Sequence, residues 1–179
     1  VMIAFNNYLI DKISKKDALG IYSLMTLNSD RFKRYFPITL EQNQSLKQSK
    51  EFTSKKRKEF KAKQEFLFTL KDIHFKKIIG LIYIKELDWS KKQGEFAYCI
   101  DKKYQGKGLI STVVQKLSAY AVENLGLNTF HIVVHKTNLG SIKVAKKCNF
   151  IWQETLPKAH TPPGELPLDM ELYVLKNEK

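Results

Sequence analysis

A glycine-containing turn, flanked by a strand and a helix, constrains the fold of this chain more than any other stretch. Residues 104–109 read Tyr-Gln-Gly-Lys-Gly-Leu, with a predicted strand over 95–100 before them and an amphipathic helix over 110–125 after them. Glycines let backbone N–H groups approach an anion closely, and the start of a helix favours negative charge. The stretch therefore predicts a site that holds a phosphate.

The stretch before the turn predicts an antiparallel meander, because three short apolar runs follow one another with only brief turns between them. The runs cover residues 66–70, 78–84 and 95–100. Further strands are predicted over 8–13, 130–135, 150–156 and 168–176, and helices from about residue 18 and over 40–64, 110–125 and 138–147. We expect an α+β fold, with a mixed, mostly antiparallel central sheet of about six to seven strands and about four helices.

Composition places the chain among globular proteins, since 43% of its 179 residues are apolar. No repeat or linker divides the sequence, so we expect one domain over residues 1–179. No apolar run approaches the roughly 20 residues that span a membrane, and no export signal is recognised. Cys99 and Cys148 are too few for a disulfide framework, and a reducing cytoplasm is the expected location.

The net charge of +13 leaves two interpretations open. A basic protein attracts polyanions, so the chain could be a ribosome-binding or nucleic-acid-binding domain. However, arginine, the residue that most often reads bases, occurs only at Arg31, Arg34 and Arg57, and lysine supplies the rest. The excess of lysine is more typical of a general compositional bias, and we expect no sequence-specific nucleic-acid partner.

The order of motifs resembles the GNAT family of acetyl-CoA-dependent N-acetyltransferases, closest to its RimJ/RimL branch. The cofactor motif of that family is Gln or Arg, two residues, Gly, one residue, then Gly or Ala; Gln105, Gly108 and Ile110 take these places here. A later Asn-x-x-Ser and a Gly-Phe pair correspond to Asn138 with Ser141 and to residues 149–150. The resemblance extends from about residue 9 to residue 175.

Three residues depart from the family pattern. Ile110 stands in place of a small residue, and Asn149 replaces a glycine, although asparagine tolerates a left-handed backbone. Ala145 occupies the place where many members carry the tyrosine that protonates the departing thiolate. The acid of the reaction is therefore unassigned by the resemblance.

The resemblance implies acetyl-CoA as cofactor, with its pyrophosphate on the backbone N–H groups of the glycine turn. Its pantetheine arm would lie between the strands 95–100 and 130–135, in a geometry similar to an added strand. Lysines near the turn could add positive charge or form only a solvated rim, and Asn138 could orient the arm, cap its own helix, or do both. The implied cofactor-binding residues are Tyr98, Ile100, Lys102, Gln105, Gly106, Lys107, Gly108, Leu109, Ile110, Ser111, Asn138 and Ser141.

The implied reaction is direct attack of a primary amine on the thioester. Glu95 is the candidate base and Ser141 the candidate donor to the leaving sulfur. The alternatives are that Glu95 is a strand-edge carboxylate paired with a lysine and that Ser141 is a helix-surface serine. Cys99 carries no visible activating neighbour, and the two strand histidines, His131 and His135, are too few for a zinc site, so no metal is expected.

The acceptor is left open between a protein N-terminus, such as that of a ribosomal protein, and a small amine. A non-catalytic CoA-binding sensor on the same fold is the alternative, because Ala145 leaves the acid unassigned. No membrane partner is expected, and the chain is predicted to act as a monomer or homodimer.

Overall fold

The fold, as a computed structural model describes it for residues 2–177, contains eight strands and six α-helices. The strands are β1 Met2–Phe5, β2 Tyr8–Lys12, β3 Phe66–Asp72, β4 Lys77–Asp88, β5 Gln93–Ile100, β6 Thr129–Val134, β7 Ile151–His160 and β8 Leu168–Lys176. The helices are α1 Ala18–Leu27, α2 Ser29–Phe32, α3 Pro37–Glu41, α4 Leu46–Lys61, α5 Leu109–Tyr120 and α6 Leu139–Lys147.

The strands form one sheet in the order β1-β2-β3-β4-β5-β6-β8-β7. Strands β1 and β2, β2 and β3, β6 and β8, and β7 and β8 pair antiparallel, whereas β5 and β6 pair parallel. The predicted mixed, mostly antiparallel sheet is therefore confirmed. The counts differ from the prediction, because the chain has eight strands rather than six to seven and six helices rather than about four.

Two strand segments were missed because neither shows a clear apolar period. The N-terminal strand β1 forms a tight hairpin with β2, with Asn6 in a left-handed conformation at the turn. Strand β7 continues through Pro157 to His160, where a loop over 157–167 was expected. Proline is tolerated there because β7 is the last strand of the sheet, and an edge strand leaves N–H positions that need no partner.

The single helix expected over residues 40–64 is two helices. Pro37 begins α3, as suits a residue with no N–H to donate. Helix α4 begins after Ser45, whose side chain accepts a hydrogen bond from the backbone N–H of Gln48. Thr39, with Gln42 three residues later, has the spacing of a capping box, but it lies inside α3, and its hydroxyl is 2.9 Å from that of Tyr83.

The described chain divides into two compact units. The first contains the residues up to Tyr83 together with Tyr98–Gln105. Apolar side chains of its strands and of α1 are completely buried and form its core: Ile10, Ile21, Met25, Phe66, Phe68, Leu70 and Ile79.

The second unit contains Ile84–Ala97 and the residues from Gly106 onward. The Phe96 ring lies 5.5 Å from that of Phe130 and 6.4 Å from that of Phe150, which joins β5, β6 and the start of β7 in one core. The α5 residues Val113, Val114 and Leu117 are fully buried. A single domain over residues 1–179 stays a prediction.

No helix in the described part of the chain is long and apolar enough to cross a membrane.

Candidate functional site

The start of α5 offers backbone donors to an anion. Its N-cap, Gly108, has φ +71°, a left-handed conformation that favours glycine, and it provides no side-chain hydrogen bond to the first turn. Gly106, two residues earlier, also has a positive φ of +73°. The first N–H groups of a helix lack partners within the helix, so this end carries partial positive charge that an anion can satisfy.

A lysine from α6 lies beside this helix start. The Nζ atom of Lys147 is 3.2 Å from the position that a Cβ atom on Gly108 would occupy. The carbonyl of Lys147 accepts a hydrogen bond from the Gln115 side chain, 3.3 Å away, and the Sγ atom of Cys148 donates to the carbonyl of Ser111 at 3.3 Å. These contacts fix the end of α6 against α5 and place a cation beside the start of α5.

Position 108 accommodates glycine better than a residue with a Cβ atom. A Cβ atom at residue 108 would meet the Lys147 ammonium and would also require a strained backbone, whereas one at Gly106 would meet nothing within 4 Å. Lys107 is exposed between the two glycines. Sequence reasoning missed Lys147 because it lies 39 residues from Gly108; the only local signal was a basic last turn of α6.

The first three residues of α5 pack their side chains into the protein. Leu109 and Ile110 are each 7% exposed and Ser111 is 4% exposed, so their side chains belong to the packed interior. The departure of Ile110 from the small residue of the family motif is thereby explained, since its side chain helps to bury α5. All three predicted residues lie in the first turn of the helix.

Asn138 caps α6. Its Oδ1 atom accepts a hydrogen bond from the backbone N–H of Ser141, 3.2 Å away, which is the capping role weighed in the sequence. The bond uses the side-chain oxygen, so the role of the side-chain NH₂ group in orienting a cofactor stays a prediction. Ser141 is half-buried in the first turn of the same helix.

The parallel pairing of β5 and β6 is short. Its register begins with Gln93 opposite Thr129 and ends with Phe96 opposite Ile132. On its other side β6 stays paired with β8 as far as Val134. In the described second unit, the next residue of each strand, Ala97 in β5 and Val133 in β6, is not part of this pairing register.

Glu95 lies directly opposite His131 in this register. Burial raises the pKa of Glu95 above the usual carboxyl range, while the positive charge of Lys85, whose Nζ is 3.7 Å from the carboxylate, opposes the shift. Burial also lowers the pKa of His131. The lysine partner weighed for Glu95 is present, and the raised pKa makes the carboxylate a stronger base than a solvated one.

The other predicted cofactor residues belong to the first unit. There the carbonyl oxygen of Ile100 accepts a hydrogen bond from Nη1 of Arg31 at 3.1 Å, and the backbone N–H of Lys102 donates to Oδ1 of buried Asn28 at 3.0 Å. Sequence reasoning missed both contacts. The Lys102 and Gln105 side chains are exposed and Tyr98 is half-buried.

The remaining reactive side chains are poor candidates for chemistry. Burial raises the pKa of Cys99 to about 12, so a thiolate there is strongly disfavoured. Ala145, at the place of the family tyrosine, is fully buried. His135 lies just beyond β6 and bonds to Thr137, and no group of three or more potential metal ligands is found among residues 2–177.

Comparison with known protein families identifies the family of this chain. The sequence profile of the acetyltransferase (GNAT) domain matches residues 8–151, which is most of the chain. The chain belongs to the GNAT acetyltransferase family. The left-handed Gly108 before α5 and the short parallel pairing of β5 and β6 are thus features of a GNAT domain in this chain.

Curated GNAT relatives match over only part of their length. The spermidine N(1)-acetyltransferase of Vibrio cholerae is 23% identical over 103 residues, covering 58% of this chain and 60% of that protein. A Bacillus subtilis relative is 34% identical over 74 residues, covering 41% of this chain and 40% of that protein. The chain therefore spans about half the length of these two curated relatives.

Solved structures show the GNAT fold over the full chain. The ribosomal-protein-S5-alanine acetyltransferase of Vibrio fischeri has a TM-score of 0.93 at 20% identity and covers 100% of this chain and 98% of its own. RimL, a ribosomal L7/L12 alpha-N-protein acetyltransferase solved with coenzyme A, has a TM-score of 0.90 at 14% identity, with 98% of each chain covered. At these identities the likeness establishes the fold.

Proposed function

We propose that this chain is an acetyl-CoA-dependent N-acetyltransferase that modifies a primary amine. The observation that carries the proposal is the start of α5, where left-handed Gly108, unsatisfied helix donors and the Lys147 ammonium meet. A helix start of this kind suits a pyrophosphate, which carries two negative charges in the middle of coenzyme A. The family membership supplies the same cofactor independently.

The residues that would hold acetyl-CoA follow from their positions. The backbone N–H groups from Gly106 to Ser111 would face the pyrophosphate, with Lys147 and Lys107 as added cations. The backbone of β6 beyond Ile132 would pair with the pantetheine arm as with an added strand. Roles for Tyr98, Ile100, Lys102 and Gln105 stay proposals that rest on the family motif.

The cofactor, when bound, supplies an acetyl thioester to an amine nucleophile. Glu95 would take a proton from the ammonium form of the amine, directly or through water, before the nitrogen attacks the thioester carbon. As the carbon–sulfur bond breaks, the attacking nitrogen would give up its second proton and the sulfur would gain one, which would release an amide and a thiol. Ser141 is the candidate donor, since Ala145 carries no acidic group.

The acceptor that best suits this site is an α-amino group at a protein N-terminus. Such an amine has a reference pKa of about 7.7–8.0, against about 10.4 for a lysine side chain, so a single carboxylate such as Glu95 is an adequate base near neutral pH. The relatives include a ribosomal-protein-S5-alanine acetyltransferase and a spermidine acetyltransferase, which makes a ribosomal-protein N-terminus the first peptide to test and polyamines the second. A cytoplasmic location stays a prediction from cysteine usage.

Two measurements test the proposal. We expect saturating acetyl-CoA to raise the melting temperature, while NAD leaves it unchanged; no shift with acetyl-CoA would refute cofactor binding. Thiol release is then followed with a panel of N-terminal peptides, polyamines and other small amines. Thiol release with at least one amine supports the enzyme. If the protein binds acetyl-CoA but releases no thiol with any amine, the result favours a CoA sensor, the second candidate that Ala145 supports.

A further inference from the structure

Helix α4 carries the largest net positive charge of any helix in the described chain. The sixteen residues of α4 contain seven basic and two acidic side chains, a net charge of +5 out of +13 for the whole chain. By contrast, α1 has no charged residue and α5 has a single lysine. Helix α6 has three lysines in nine residues, but one of them, Lys147, lies beside Gly108, whereas the charge of α4 lies away from that helix start in sequence and in the other compact unit.

The charge lies on the outer side of α4. Only one acidic residue, Glu51, is exposed on the helix. Six basic side chains of α4 are exposed, and one of them, Lys55, pairs with Glu59 at 3.8 Å. The other five define the α4 basic face: Lys47, Lys50, Arg57, Lys58 and Lys61. Within the described chain, no ion pair is recorded for any of these five side chains.

The inner side of α4 fixes which way the helix faces. Ser49 and Thr53 are fully buried, and Phe52 is 4% exposed. Lys56, whose side chain is 12% exposed, points inward, with its ammonium 2.9 Å from the Glu59 carboxylate and also paired with Glu65. These two carboxylates therefore neutralise Lys56 rather than the basic face.

We propose that the α4 basic face binds the phosphate backbone of RNA without reading its sequence. From Lys47 to Lys61 the helix is about 21 Å long, enough to meet several successive phosphates. Four of the five cations are lysines, which act on phosphate as point charges, and a single arginine gives little capacity for bidentate base contacts.

The packing of α4 argues against a membrane surface as the partner. A helix that lies on lipid needs an exposed apolar side opposite its charges. The aromatic residues of α4 are used inside the protein, since the Phe60 ring lies 5.0 Å from that of Phe66 and 5.3 Å from that of Phe68. The outer face thus offers charge without a hydrophobic anchor, as suits a polyphosphate.

The test is binding to a 20-base-pair RNA hairpin of mixed sequence, measured by fluorescence anisotropy at several salt concentrations. In the test variant, Lys50, Arg57, Lys58 and Lys61 are all changed to glutamine. The matched control changes four other exposed lysines of the same unit, Lys15, Lys16, Lys33 and Lys76, to glutamine, with the same loss of net charge. If the fourfold variant unfolds, a double variant replaces it. That variant combines Arg57→Gln with Lys58→Gln, and its control combines Lys15→Gln with Lys16→Gln.

Each phosphate contact adds about 0.9 to the magnitude of the slope of log K against log salt. If all four cations contact phosphate, we expect the test variant to lower the magnitude of the slope by about 3.6 and the control by less than 1, with the acetyl-CoA-induced thermal shift unchanged in both. An equal loss in the two variants would mean that net charge alone drives binding, and would overturn the proposal. So would undetectable RNA binding at 50 mM salt, or tighter α4-dependent binding to phosphatidylserine vesicles than to RNA. None of these outcomes depends on whether the acetyltransferase activity is found.

Discussion

The Lys147 ammonium lies 3.2 Å from the point at which a Cβ atom on Gly108 would stand. One residue ends α6 and the other precedes α5, so the positively charged end of a helix and a lysine side chain converge on the same small volume. Two sources of positive charge at one place bind an anion more strongly than either alone. We expect binding of the coenzyme A phosphates to depend on both residues.

Replacing Lys147 by glutamine should weaken coenzyme A binding about tenfold, because a charge-assisted hydrogen bond contributes on the order of 1.5–3 kcal/mol before solvent screening reduces it. Isothermal titration calorimetry gives the affinity. Lys146→Gln, which removes a neighbouring exposed charge from the same helix turn, is the control and should change affinity less than twofold.

The same pair of variants tells which phosphate Lys147 meets. If it meets the pyrophosphate, Lys147→Gln weakens binding of coenzyme A and of its 3′-dephospho form by the same factor. A loss seen only with coenzyme A would place Lys147 on the 3′-phosphate and would contradict the pyrophosphate assignment.

Gly108→Asp should abolish coenzyme A binding, since it places a carboxylate beside Lys147 and opposite the pyrophosphate. Gly108→Asn is the matched comparison, because asparagine has nearly the same shape, tolerates a positive φ and carries no charge. We expect it to keep a weakened but measurable affinity in the same titration. Equal affinity of the aspartate variant and the wild type would show that this turn does not hold the phosphates.

Substitutions at Asn138 should separate its capping role from a cofactor role. Asn138→Ala removes the cap on α6 and should lower the free energy of unfolding by about 1 kcal/mol, whereas Asn138→Ser preserves a capping oxygen and should stay near the wild type in urea unfolding. If the side-chain NH₂ group orients the cofactor, both variants bind coenzyme A more weakly. Affinity that falls only in the alanine variant would assign Asn138 to the helix alone.

The pH dependence of kcat/KM should report Glu95. Burial raises its pKa, so the acid limb of the profile should lie above the usual carboxyl range near 4.3. Glu95→Gln should remove that limb and lower kcat at least tenfold. Exposed Glu86 is the control, and Glu86→Gln should retain the limb with only a small shift.

The stability of the Glu95→Gln variant gives an independent check. A folded-state pKa raised above the unfolded value contributes stability at low pH, which is lost as pH rises through the folded pKa. At pH 8 the buried, charged Glu95 is therefore a cost, and Glu95→Gln should not lower the melting temperature. Large destabilisation at pH 8 would instead favour the structural ion pair with Lys85.

Patterns along the chain were sufficient to predict much of the fold. The apolar runs of β3, β4 and β5 and the period of α5 are local properties, because each depends on which neighbours a strand or helix must bury. The segments that failed were those with weak periodicity, such as β1 and the second half of β7. Likewise, the separation of α3 from α4 depends on Ser45. Its side-chain oxygen caps α4, so that helix begins at Leu46 rather than at residue 40 as expected.

By itself, the sequence determined that a glycine turn precedes α5 and that Asn138 and Ser141 begin α6, because motifs within a few residues carry their own geometry. Only the tertiary structure decided that Lys147 meets Gly108, that Arg31 holds the carbonyl of Ile100 and that Glu95 faces His131. These partners are dozens of residues apart. Their proximity depends on how helices and strands pack, and packing is set by the whole buried surface rather than by any local pattern.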